Sequence, residues 1–303
     1  MDKQPVVAFV GATATGKTAL AIALAKVLGG EIINADAMQF YRGMDIGTAK
    51  ATVEERQGIA HHLLDIYDLQ VEASVATFQT LARTTIEEIR ARSQVPILTG
   101  GSGLYVRAAL DTLEFPPTDR ALRQDLTTQV EKEGIGPLID ELQRVDQASA
   151  QRLQDNRRII RAIEVYRLTG RTFSSFMPKR QYHPELPPVV QIGLSIDRAH
   201  LHERIEQRVY NMIESGWLEE VENLQAHGLG LAPTASRAIG YRQMMEHLSG
   251  AISLREAIDS TIVSTRRFAR RQETWFKADP RVHWIDPQAD HALADIIRLV
   301  ESS

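Results

Sequence analysis

The sequence predicts an α/β protein in which an open parallel β-sheet, covered by helices on both faces, is interrupted by an inserted all-helical domain. Strand-like apolar runs alternate with segments of helical periodicity in the first part of the chain, which is typical of βαβ units. A later stretch between two proline-marked breaks has helical patterns and no convincing strand.

The first strand, Val6 to Val10, runs into a glycine-rich turn and then into a helix. The turn has the G-x-x-x-x-G-K-T spacing of a P-loop, in the strand-turn-helix context that this motif requires. Its glycines allow successive N–H groups and the helix N-terminus to point at one anionic group. Lys17 adds a positive charge and the Thr18 hydroxyl can ligate Mg²⁺. The loop predicts a polyphosphate site in a P-loop NTPase-like fold, formed by Gly11, Ala12, Thr13, Ala14, Thr15, Gly16, Lys17 and Thr18.

A second strand, Glu31 to Asp36, ends in a carboxylate. In an open parallel sheet this end lies on the same edge as the P-loop, so we expect Asp36 near whatever the loop binds. The segment from Ala37 to Lys50 has little periodicity and is predicted to be a loop at that edge, where loops carry function.

Helical spacing from Ser74 to Ser93 is followed by a buried strand, Val95 to Leu98. This strand runs into a second glycine-rich turn, Thr99 to Tyr105, which again leads towards a helix. These elements continue the alternation of a parallel sheet.

The pattern changes at Phe115-Pro116-Pro117-Thr118 and returns to strand composition after the proline-rich stretch from Gln181 to Pro188. We therefore predict an α/β core formed by residues 1–117 and 188–303, with a helical insertion at 118–187. The predicted helices of the insertion are Leu122 to Glu133, Gly136 to Gln143, Ala148 to Leu153 and Arg157 to Leu168.

The rest of the core is predicted to contain two further strands, Val189 to Ile196 and Val282 to Ile285, and a last helix to Val300. Between these strands lie four predicted helices, Ala199 to Ser215, Trp217 to Ala226, Gly240 to Leu248 and Leu254 to Ala278.

The chain has 303 residues, 43% of them hydrophobic, and no cysteine. The lack of cysteine excludes disulfides, thiolate catalysis and Cys-based zinc sites. The sequence has no uncharged apolar run long enough to span a bilayer, and its first residues lack a signal-peptide pattern, so we expect a soluble, cytoplasmic protein.

The net charge of −4 gives no general indication of a nucleic-acid partner. Positive charge is concentrated locally, however, from Arg152 to Arg180 and again at Arg266, Arg267, Arg270 and Arg271. Local basic surface is what decides binding to a phosphate backbone.

From the residues alone, two kinds of chemistry remain open. Most P-loops bind ATP or GTP, so a small-molecule kinase could use Asp36 to accept a proton from the phosphoryl acceptor. A nucleotide hydrolase is the second candidate, although the strand from Val95 to Leu98 ends without an Asp to hold Mg²⁺, a role that Asp36 could take.

The motifs together resemble the tRNA dimethylallyltransferase family, also called tRNA isopentenyltransferases or IPP transferases. The most specific is the block Tyr41-Arg42-Gly43-Met44-Asp45-Ile46-Gly47-Thr48-Ala49-Lys50. The resemblance spans nearly the whole chain, through the P-loop, Asn34 to Lys50, His61 to Asp65, Gly100 to Tyr105, Asn156 to Tyr166, Gly240 to Gln243 and Arg266 to Trp275.

This resemblance implies that the P-loop holds the diphosphate of dimethylallyl diphosphate and that no phosphoryl group is transferred. The acceptor would be the exocyclic amine of the adenosine 3′ of the anticodon (tRNA position 37), in tRNAs that read codons beginning with U. It assigns Asp36 as general base and Thr13, Lys17 and Arg208 to the diphosphate, with Mg²⁺ on Thr18 as cofactor. The resemblance also implies that the P-loop is an ATP-binding, nucleotide-binding motif.

The resemblance also implies a set of tRNA contacts, with the basic insertion clamping the anticodon stem through its phosphates. It implies no membrane and no protein partner, and we expect a monomer. The implied tRNA-binding residues are Asp36, Ala37, Met38, Gln39, Ser102, Arg123, Arg157, Arg158, Ile159, Ile160, Arg161, Ser236, Arg237, Ala238, Ile239, Gly240 and Tyr241.

Four residues depart from the family pattern: Ala12 replaces a usual Pro, Ala37 and Met38 replace a more polar pair that begins with Ser, and Ser102 replaces a common Thr. The Ala12 amide and the Ser102 hydroxyl leave phosphate binding and polar contact possible, whereas Ala37 and Met38 leave the details of base recognition open. Prenylation of free adenine nucleotides is an alternative within the same chemistry, but it gives the basic insertion no use.

Several residues also have structural interpretations. Asp36 could be a Mg²⁺ ligand or a helix cap, and the run from Arg157 to Arg161 could be a solvated helix face. His61 and His62 are expected to be structural, since neighbouring strand residues face opposite ways. Trp275 and Phe276 are expected in the core.

Overall fold

The computed structural model describes residues 4–177 and 180–303. Contacts between Cα atoms divide the chain into two compact units, the first comprising Met1–Leu110 and Tyr182–Ser303 and the second Asp111–Gln181. The first junction lies a few residues before Phe115-Pro116-Pro117-Thr118, and the second lies at the start of the proline-rich stretch from Gln181 to Pro188. Pro178 and Lys179, in the predicted insertion, and the first three residues lie outside the described residues.

The first unit is built on a parallel β-sheet with the strand order β3-β2-β4-β1-β5-β6. All residues of β1 are buried, which requires that both faces of the sheet be covered and explains the uninterrupted apolar run. The predicted α/β sheet is therefore confirmed. Its strands are β1 (Val6–Gly11), β2 (Gly30–Asn34), β3 (His61–His62), β4 (Val95–Thr99), β5 (Val189–Leu194) and β6 (Val282–Ile285).

Helices cover this sheet, and one core lies where Ile22, Leu24, Ile296 and Val300 pack against strand residues such as Phe9. The helices of the first unit are α1 (Lys17–Leu28), α2 (Val53–Arg56), α3 (Val75–Ala91), α4 (Gly103–Leu110), α9 (Arg198–Glu214), α10 (Trp217–Ala226), α11 (Tyr241–Leu248), α12 (Leu254–Lys277) and α13 (Ala292–Glu301).

The named elements of the second unit are all helices among its described residues, and loops connect them. Asp119, Asp146 and Asp155 each cap a helix N-terminus with a side-chain oxygen, and leucine and isoleucine side chains form its core. Its helices are α5 (Arg120–Glu133), α6 (Gly136–Val145), α7 (Gln147–Arg152) and α8 (Asn156–Thr169).

The sheet topology decides where the predicted site residues can meet. Strand β1 lies between β4 and β5, and β2 pairs with the other side of β4, all in parallel. The carboxyl ends of β1, β2 and β4 therefore lie at one edge of the sheet, next to each other. No helix among the described residues is both long and apolar enough to cross a bilayer.

Candidate active site at the carboxyl edge of the sheet

The predicted P-loop joins β1 to α1. Gly16 immediately precedes α1 with a φ of 94°, a conformation that glycine adopts without a Cβ clash. No side chain of the described residues caps this helix, so its first N–H groups are available to an anion. The local sequence thus produces an anion-binding turn at the centre of the sheet.

Lys17, the first residue of α1, turns its ammonium group back over the loop. Its Nζ donates to the carbonyl oxygens of Gly11 at 3.2 Å and Ala12 at 2.5 Å. Burial, together with the nearby Arg208 charge, lowers the pKa of Lys17 to about 7, against the opposing effect of Asp36. A lysine in this state gains a proton readily when an anion binds beside it.

Asp36 follows the end of β2 and faces the same edge. Its side chain accepts the Met38 backbone N–H at 3.0 Å, while its own N–H donates to Asn34 Oδ1 at 2.9 Å. Burial raises the pKa of Asp36, although the Met38 hydrogen bond and the charges of Lys17 and Arg208 oppose that shift. Asp36 is therefore a helix cap, as the structural interpretation held, and also a carboxylate with increased proton affinity.

Arg208 projects from α9 towards the loop, and its Nη1 lies 3.4 Å from the Thr13 hydroxyl oxygen, to which it donates. Burial lowers the pKa of its guanidinium, partly offset by Asp36. The four residues to which the sequence assigned catalytic roles, Thr13, Lys17, Asp36 and Arg208, thus surround one space.

The second glycine-rich turn brings β2 and β4 into close approach. A Cβ on Gly100 would lie 2.6 Å from the Ala35 carbonyl group, so a larger residue has no room there. Beside it, the Gln272 side chain accepts the Thr13 N–H at 2.9 Å and donates to the Gly101 carbonyl at 2.9 Å. Sequence reasoning missed Gln272, because only the fold brings a residue so distant in the sequence to the loop.

Two adjoining cavities open at this edge. The polar cavity has a volume of 540 Å³ and is lined by P-loop residues with Asn34, Glu55, Arg204 and Gln272. The apolar cavity has a volume of 430 Å³ and is lined by side chains that include Val209, Met212, Trp217, Ile239, Tyr241 and Phe268. Both are also lined by Thr13, Ala14, Asp36, Thr48 and Arg208.

The anion-binding loop and the Asp36 carboxylate therefore face a common space, as the sequence predicts. One end of this space is cationic and the other is apolar, and Asp36 lies at the junction. Such a space fits a ligand with an anionic head and an apolar tail, and it leaves room for a flat ring beside the tail.

Trp217 forms part of the apolar wall by fitting between two glycines. A Cβ would lie 2.1 Å from the indole Nε1 if built on Gly47, and 2.1 Å from Cη2 if built on Gly240. Trp217 is almost fully buried and packs edge-on against Tyr241. Gly47 and Gly240 are therefore required because any larger residue would clash with the Trp217 indole, and not only because of the backbone turn.

Glu220, on α10, links the loop from Asp45 to Gly47 to the start of α11 beside this wall. Its carboxylate accepts the backbone N–H groups of Asp45, Ile46 and Gly47 at 2.7 to 3.2 Å and the Tyr241 hydroxyl at 2.6 Å. Sequence reasoning missed Glu220 as well. The sequence around a helical glutamate does not indicate that its carboxylate will accept hydrogen bonds from a loop far away in the chain.

Most predicted tRNA-binding residues of the first unit line the apolar cavity. They are Asp36, Ala37, Met38, Ser102, Arg237, Ala238, Ile239 and Tyr241. Gln39 lines the polar cavity and donates to the Thr48 carbonyl at 3.1 Å, while the Ser236 hydroxyl donates to Ala232 O. Gly240 immediately precedes α11 and lies against Trp217.

The predicted residues of the second unit surround a buried glutamate. Arg123 and Arg161 both pair with Glu164, at 2.9 and 3.0 Å. Burial alone would raise the pKa of Glu164, but hydrogen bonds from Asp119 and the two arginines outweigh it, and the pKa is lowered. This ion cluster orders α5 and α8 relative to each other.

The remaining members of that predicted run face in different directions. Arg157 is exposed, and Arg158 pairs with Asp155 at 3.2 Å. Ile159 and Ile160 are buried in the core of the unit, with 3% and 8% of their surface exposed. Their side chains are thus positioned to support the arginine-bearing face and do not reach a ligand.

Thr18, the predicted Mg²⁺ ligand, is exposed at the polar cavity, which the Asp36 and Glu55 carboxylates also line. Oxygen ligands of this kind suit Mg²⁺, which takes few protein ligands when substrate phosphates supply the others. Among the described residues no group of three or more His, Asp or Glu could hold a metal by itself. The residues therefore fit a substrate-bound Mg²⁺, not a protein cage.

Two further sequence expectations can be compared with the structure. His61 and His62 contact Ile59 O and Glu31 Oε2 respectively, consistent with structural roles. Phe276 is buried as expected, but Trp275 is 46% exposed, so the expectation that both lie in the core is wrong for Trp275. The indole lies over the backbone of Gly103, where a Cβ would be 2.0 Å away.

The chain is similar to proteins of one family. A family model described as IPP transferase matches residues 39–279. A tRNA dimethylallyltransferase of Kocuria rhizophila is 55% identical over 300 residues, covering 98% of this chain and 95% of that protein. One of Streptomyces coelicolor is 51% identical over 282 residues, covering 92% and 89%.

Solved structures agree. The tRNA isopentenylpyrophosphate transferase of Bacillus halodurans has 39% identity and a TM-score of 0.72, covering 99% of this chain and 97% of that one. A eukaryotic dimethylallyltransferase described as acting on tRNA has 25% identity and a TM-score of 0.82, covering 97% and 77%.

Proposed function

This chain belongs to the IPP transferase family, and on that premise we infer that it transfers a dimethylallyl group from dimethylallyl diphosphate to a tRNA adenosine. The acceptor is the exocyclic amine of the adenosine 3′ of the anticodon, in tRNAs that read codons beginning with U. The observation that carries this proposal is the common space that the P-loop and Asp36 face, cationic at one end and apolar at the other.

We propose that the diphosphate occupies the polar cavity. The free N–H groups at the start of α1, the Lys17 ammonium and the Arg208 guanidinium surround it, and Thr13 contacts it through its hydroxyl. A Mg²⁺ ion bound to the diphosphate and Thr18 would supply further charge neutralisation. In this arrangement the dimethylallyl tail extends past Asp36 into the apolar cavity.

The acceptor adenine must leave the anticodon-loop stack to reach Asp36. Its amine nitrogen attacks C1 of the dimethylallyl group, the C1–O bond breaks, and the electron pair of that bond remains on the diphosphate oxygen. Asp36 accepts the proton that the amine loses as the C–N bond forms. Because an adenine amine is a weak nucleophile, this proton transfer lowers the barrier, and the raised pKa of Asp36 suits it.

Charge develops on the leaving oxygen during this step. Cations placed in advance around that oxygen stabilise the transition state more than the ground state. Lys17, with its pKa of about 7, takes up a proton as the diphosphate binds. Its ammonium group then stabilises the negative charge on the leaving oxygen.

The second unit is proposed to bind the anticodon stem through its phosphates, with Arg157 and Arg158 exposed on α8. Arg123 and Arg161, which share Glu164, are proposed to add to the same basic face. We also propose that the protein acts as a cytoplasmic monomer, which light scattering at working concentration would test.

The decisive experiment incubates the protein with labelled dimethylallyl diphosphate, Mg²⁺ and an unmodified anticodon stem-loop. Label should enter the RNA, and none should enter a matched RNA with guanosine at the acceptor position, which lacks the adenine amine. Absence of label with the adenosine substrate would overturn the proposal.

The same assay separates the alternatives that the sequence left open. Label in free adenosine monophosphate, but not in RNA, would indicate a nucleotide prenyltransferase, and consumption of ATP without donor would indicate a kinase or hydrolase. The relatives do not favour either alternative, because they are named tRNA dimethylallyltransferases.

A further inference from the structure

Lys50 is the last residue of the block from Tyr41 to Lys50, and it has no part in the chemistry proposed above. Its side chain is 3% exposed and lines neither the polar nor the apolar cavity. Its Nζ donates to the Tyr41 carbonyl at 3.0 Å and to carboxylate oxygens of Asp45 at 2.5 Å and Asp65 at 2.6 Å. Since an ammonium group has three N–H donors, each of them has a protein acceptor.

These three acceptors belong to two segments that are separate in the sequence. Tyr41 and Asp45 lie in the loop that follows Asp36, whereas Asp65 lies just beyond β3. A backbone hydrogen bond adds a further link, because the Asp65 N–H donates to the Gln39 carbonyl at 3.3 Å. The buried ammonium group therefore fixes the loop against the segment that leaves β3.

Asn34, the last residue of β2, connects the same segment to Asp36. Its Nδ2 donates to the Leu63 carbonyl at 3.0 Å and to the Asp36 carbonyl at 3.1 Å, while its Oδ1 accepts the Asp36 N–H at 2.9 Å. Both backbone polar groups of Asp36 are thus bonded to one side chain. That side chain is in turn bonded to the segment that Lys50 anchors at Asp65.

The backbone of these two segments is strained. Three of the six non-glycine residues with positive φ in the described part of the chain lie in them, with φ of 49° at Ala49, 59° at Leu63 and 55° at Asp65. Residues with a Cβ adopt this region at an energetic cost, and they remain there only where surrounding contacts require it. Such strain is concentrated at functional sites, so its position favours a role in placing Asp36.

We propose that Lys50, with Asp65 as its partner, is a positioning residue that holds Asp36 where its carboxylate can accept the proton of the adenine amine. This inference rests on the proposed function, because it requires Asp36 to be the proton acceptor. A proton acceptor must lie within hydrogen-bond distance of the reacting group, and a small misplacement slows the reaction severely. Lys50 itself transfers no proton and contacts no substrate.

Lys50→Met tests this role, because methionine keeps an unbranched side chain and removes the ammonium group. With the full-length protein, labelled dimethylallyl diphosphate and an anticodon stem-loop, we expect the single-turnover rate to fall about tenfold to a hundredfold. Donor affinity should change less than about twofold, since Lys17 and Arg208 lie outside the anchored loop. A loss of donor affinity as large as the loss of rate would overturn the proposal.

A double-mutant cycle with Asp36→Asn distinguishes positioning from general structural damage. If Lys50 acts through Asp36, Lys50→Met should slow the reaction little in a protein that already lacks the carboxylate. The rate of the double variant should then be close to that of Asp36→Asn alone. If the two losses of rate multiply instead, Lys50 supports the reaction by another route and the proposal is overturned.

Two further comparisons test the partner and the specificity of the effect. Asp65→Ala should slow the reaction about as much as Lys50→Met, and Asp65→Asn, which keeps an oxygen acceptor and tolerates positive φ, should restore most of the rate. Equal rates in the two Asp65 variants would overturn the assignment of Asp65. Lys26→Met is the matched control, because Lys26 is exposed and lines neither cavity, and its rate should equal that of wild type.

The outcomes distinguish this inference from the proposed function. If wild type labels RNA and Lys50→Met labels it at the same rate, the positioning role is overturned and the function stands. If Asp36→Asn keeps the wild-type rate, Asp36 is not the proton acceptor, and the positioning role is overturned although RNA is still labelled. If wild type does not label RNA, the proposed function itself fails and this inference fails with it.

Discussion

Gln272, on α12, links that helix to the P-loop, because its Oε1 accepts the Thr13 backbone N–H at 2.9 Å. The amide nitrogen of the same side chain donates to Gly101 at the next strand end. One buried amide thus fixes the spacing between the two glycine-rich turns.

Gln272→Leu should therefore damage both stability and donor binding. The apolar side chain leaves the Thr13 N–H and the Gly101 carbonyl buried without partners, which costs about 1–3 kcal/mol for each group. Urea unfolding measures the stability, and calorimetry measures donor affinity. Gln272→Glu keeps an acceptor for Thr13 and should lose less, so equal losses in the two variants would contradict this account.

Asp36→Asn tests the proposed proton acceptor without removing the helix cap, since an Asn oxygen can still accept the Met38 N–H. We expect turnover to fall by about a hundredfold or more, with little change in donor or RNA affinity. Single-turnover labelling and separate binding measurements give the two quantities. An equal loss in both would assign Asp36 to binding.

We expect activity to depend on pH through two groups, Asp36 on the acidic side and Lys17 on the basic side. Because burial raises the pKa of Asp36, the rate should fall as the carboxylate protonates at a higher pH than an ordinary Asp would. Because the pKa of Lys17 is lowered to about 7, the free protein loses that positive charge as pH rises above 7.

Donor binding should follow the Lys17 titration. Above pH 7 the diphosphate is fully ionised and binds the protonated lysine, so binding takes up a proton and affinity should fall up to about tenfold per pH unit. Calorimetry in buffers of different ionisation enthalpy measures this uptake. Lys17→Arg keeps its charge and should abolish the uptake; an unchanged uptake would place the proton elsewhere.

The sheet was predictable because its main strands are local apolar runs bounded by glycine or proline, and their alternation with helices indicates that they are parallel. The order of the strands within the sheet, β3-β2-β4-β1-β5-β6, was not predicted. The P-loop and Asp36 were predictable for the same reason, since parallel strands deliver their ends to one edge. The short strand His61–His62 at the sheet edge carries too few residues to give a periodic pattern.

The residues that the sequence did not indicate act through long-range contacts. Gln272 and Glu220 bond to loops far away in the chain, and Trp217 needs the space left by Gly47 and Gly240. Trp275 was expected in the core, yet Gly103 offers its indole a flat backbone surface near the cavity mouth. Composition cannot show which surface an aromatic ring will meet.

Gly47→Ala should destabilise the apolar wall, because a Cβ would lie 2.1 Å from the Trp217 indole. We expect a loss of about 1–3 kcal/mol from displaced packing, together with weaker donor binding. Gly230→Ala is the matched control, with no atom within 4 Å of the added Cβ. Equal unfolding midpoints for the two variants would show that the indole moves freely.

Glu220→Ala should lower the free energy of unfolding more than a substitution that removes only one of the Glu220 hydrogen bonds. It leaves three backbone N–H groups and the Tyr241 hydroxyl without their acceptor, and we expect a loss of about 3 kcal/mol. Tyr241→Phe removes only one of these bonds and should lose about 1 kcal/mol.

The two variants should also differ in donor affinity. Since the bonded segment, Asp45 to Gly47, holds Trp217 in the wall, donor affinity should fall in Glu220→Ala and be nearly kept in Tyr241→Phe. Thermal unfolding with and without donor measures both effects. If Glu220→Ala unfolded like wild type and bound donor normally, the loop would be held by its other contacts and the carboxylate would have no positioning role.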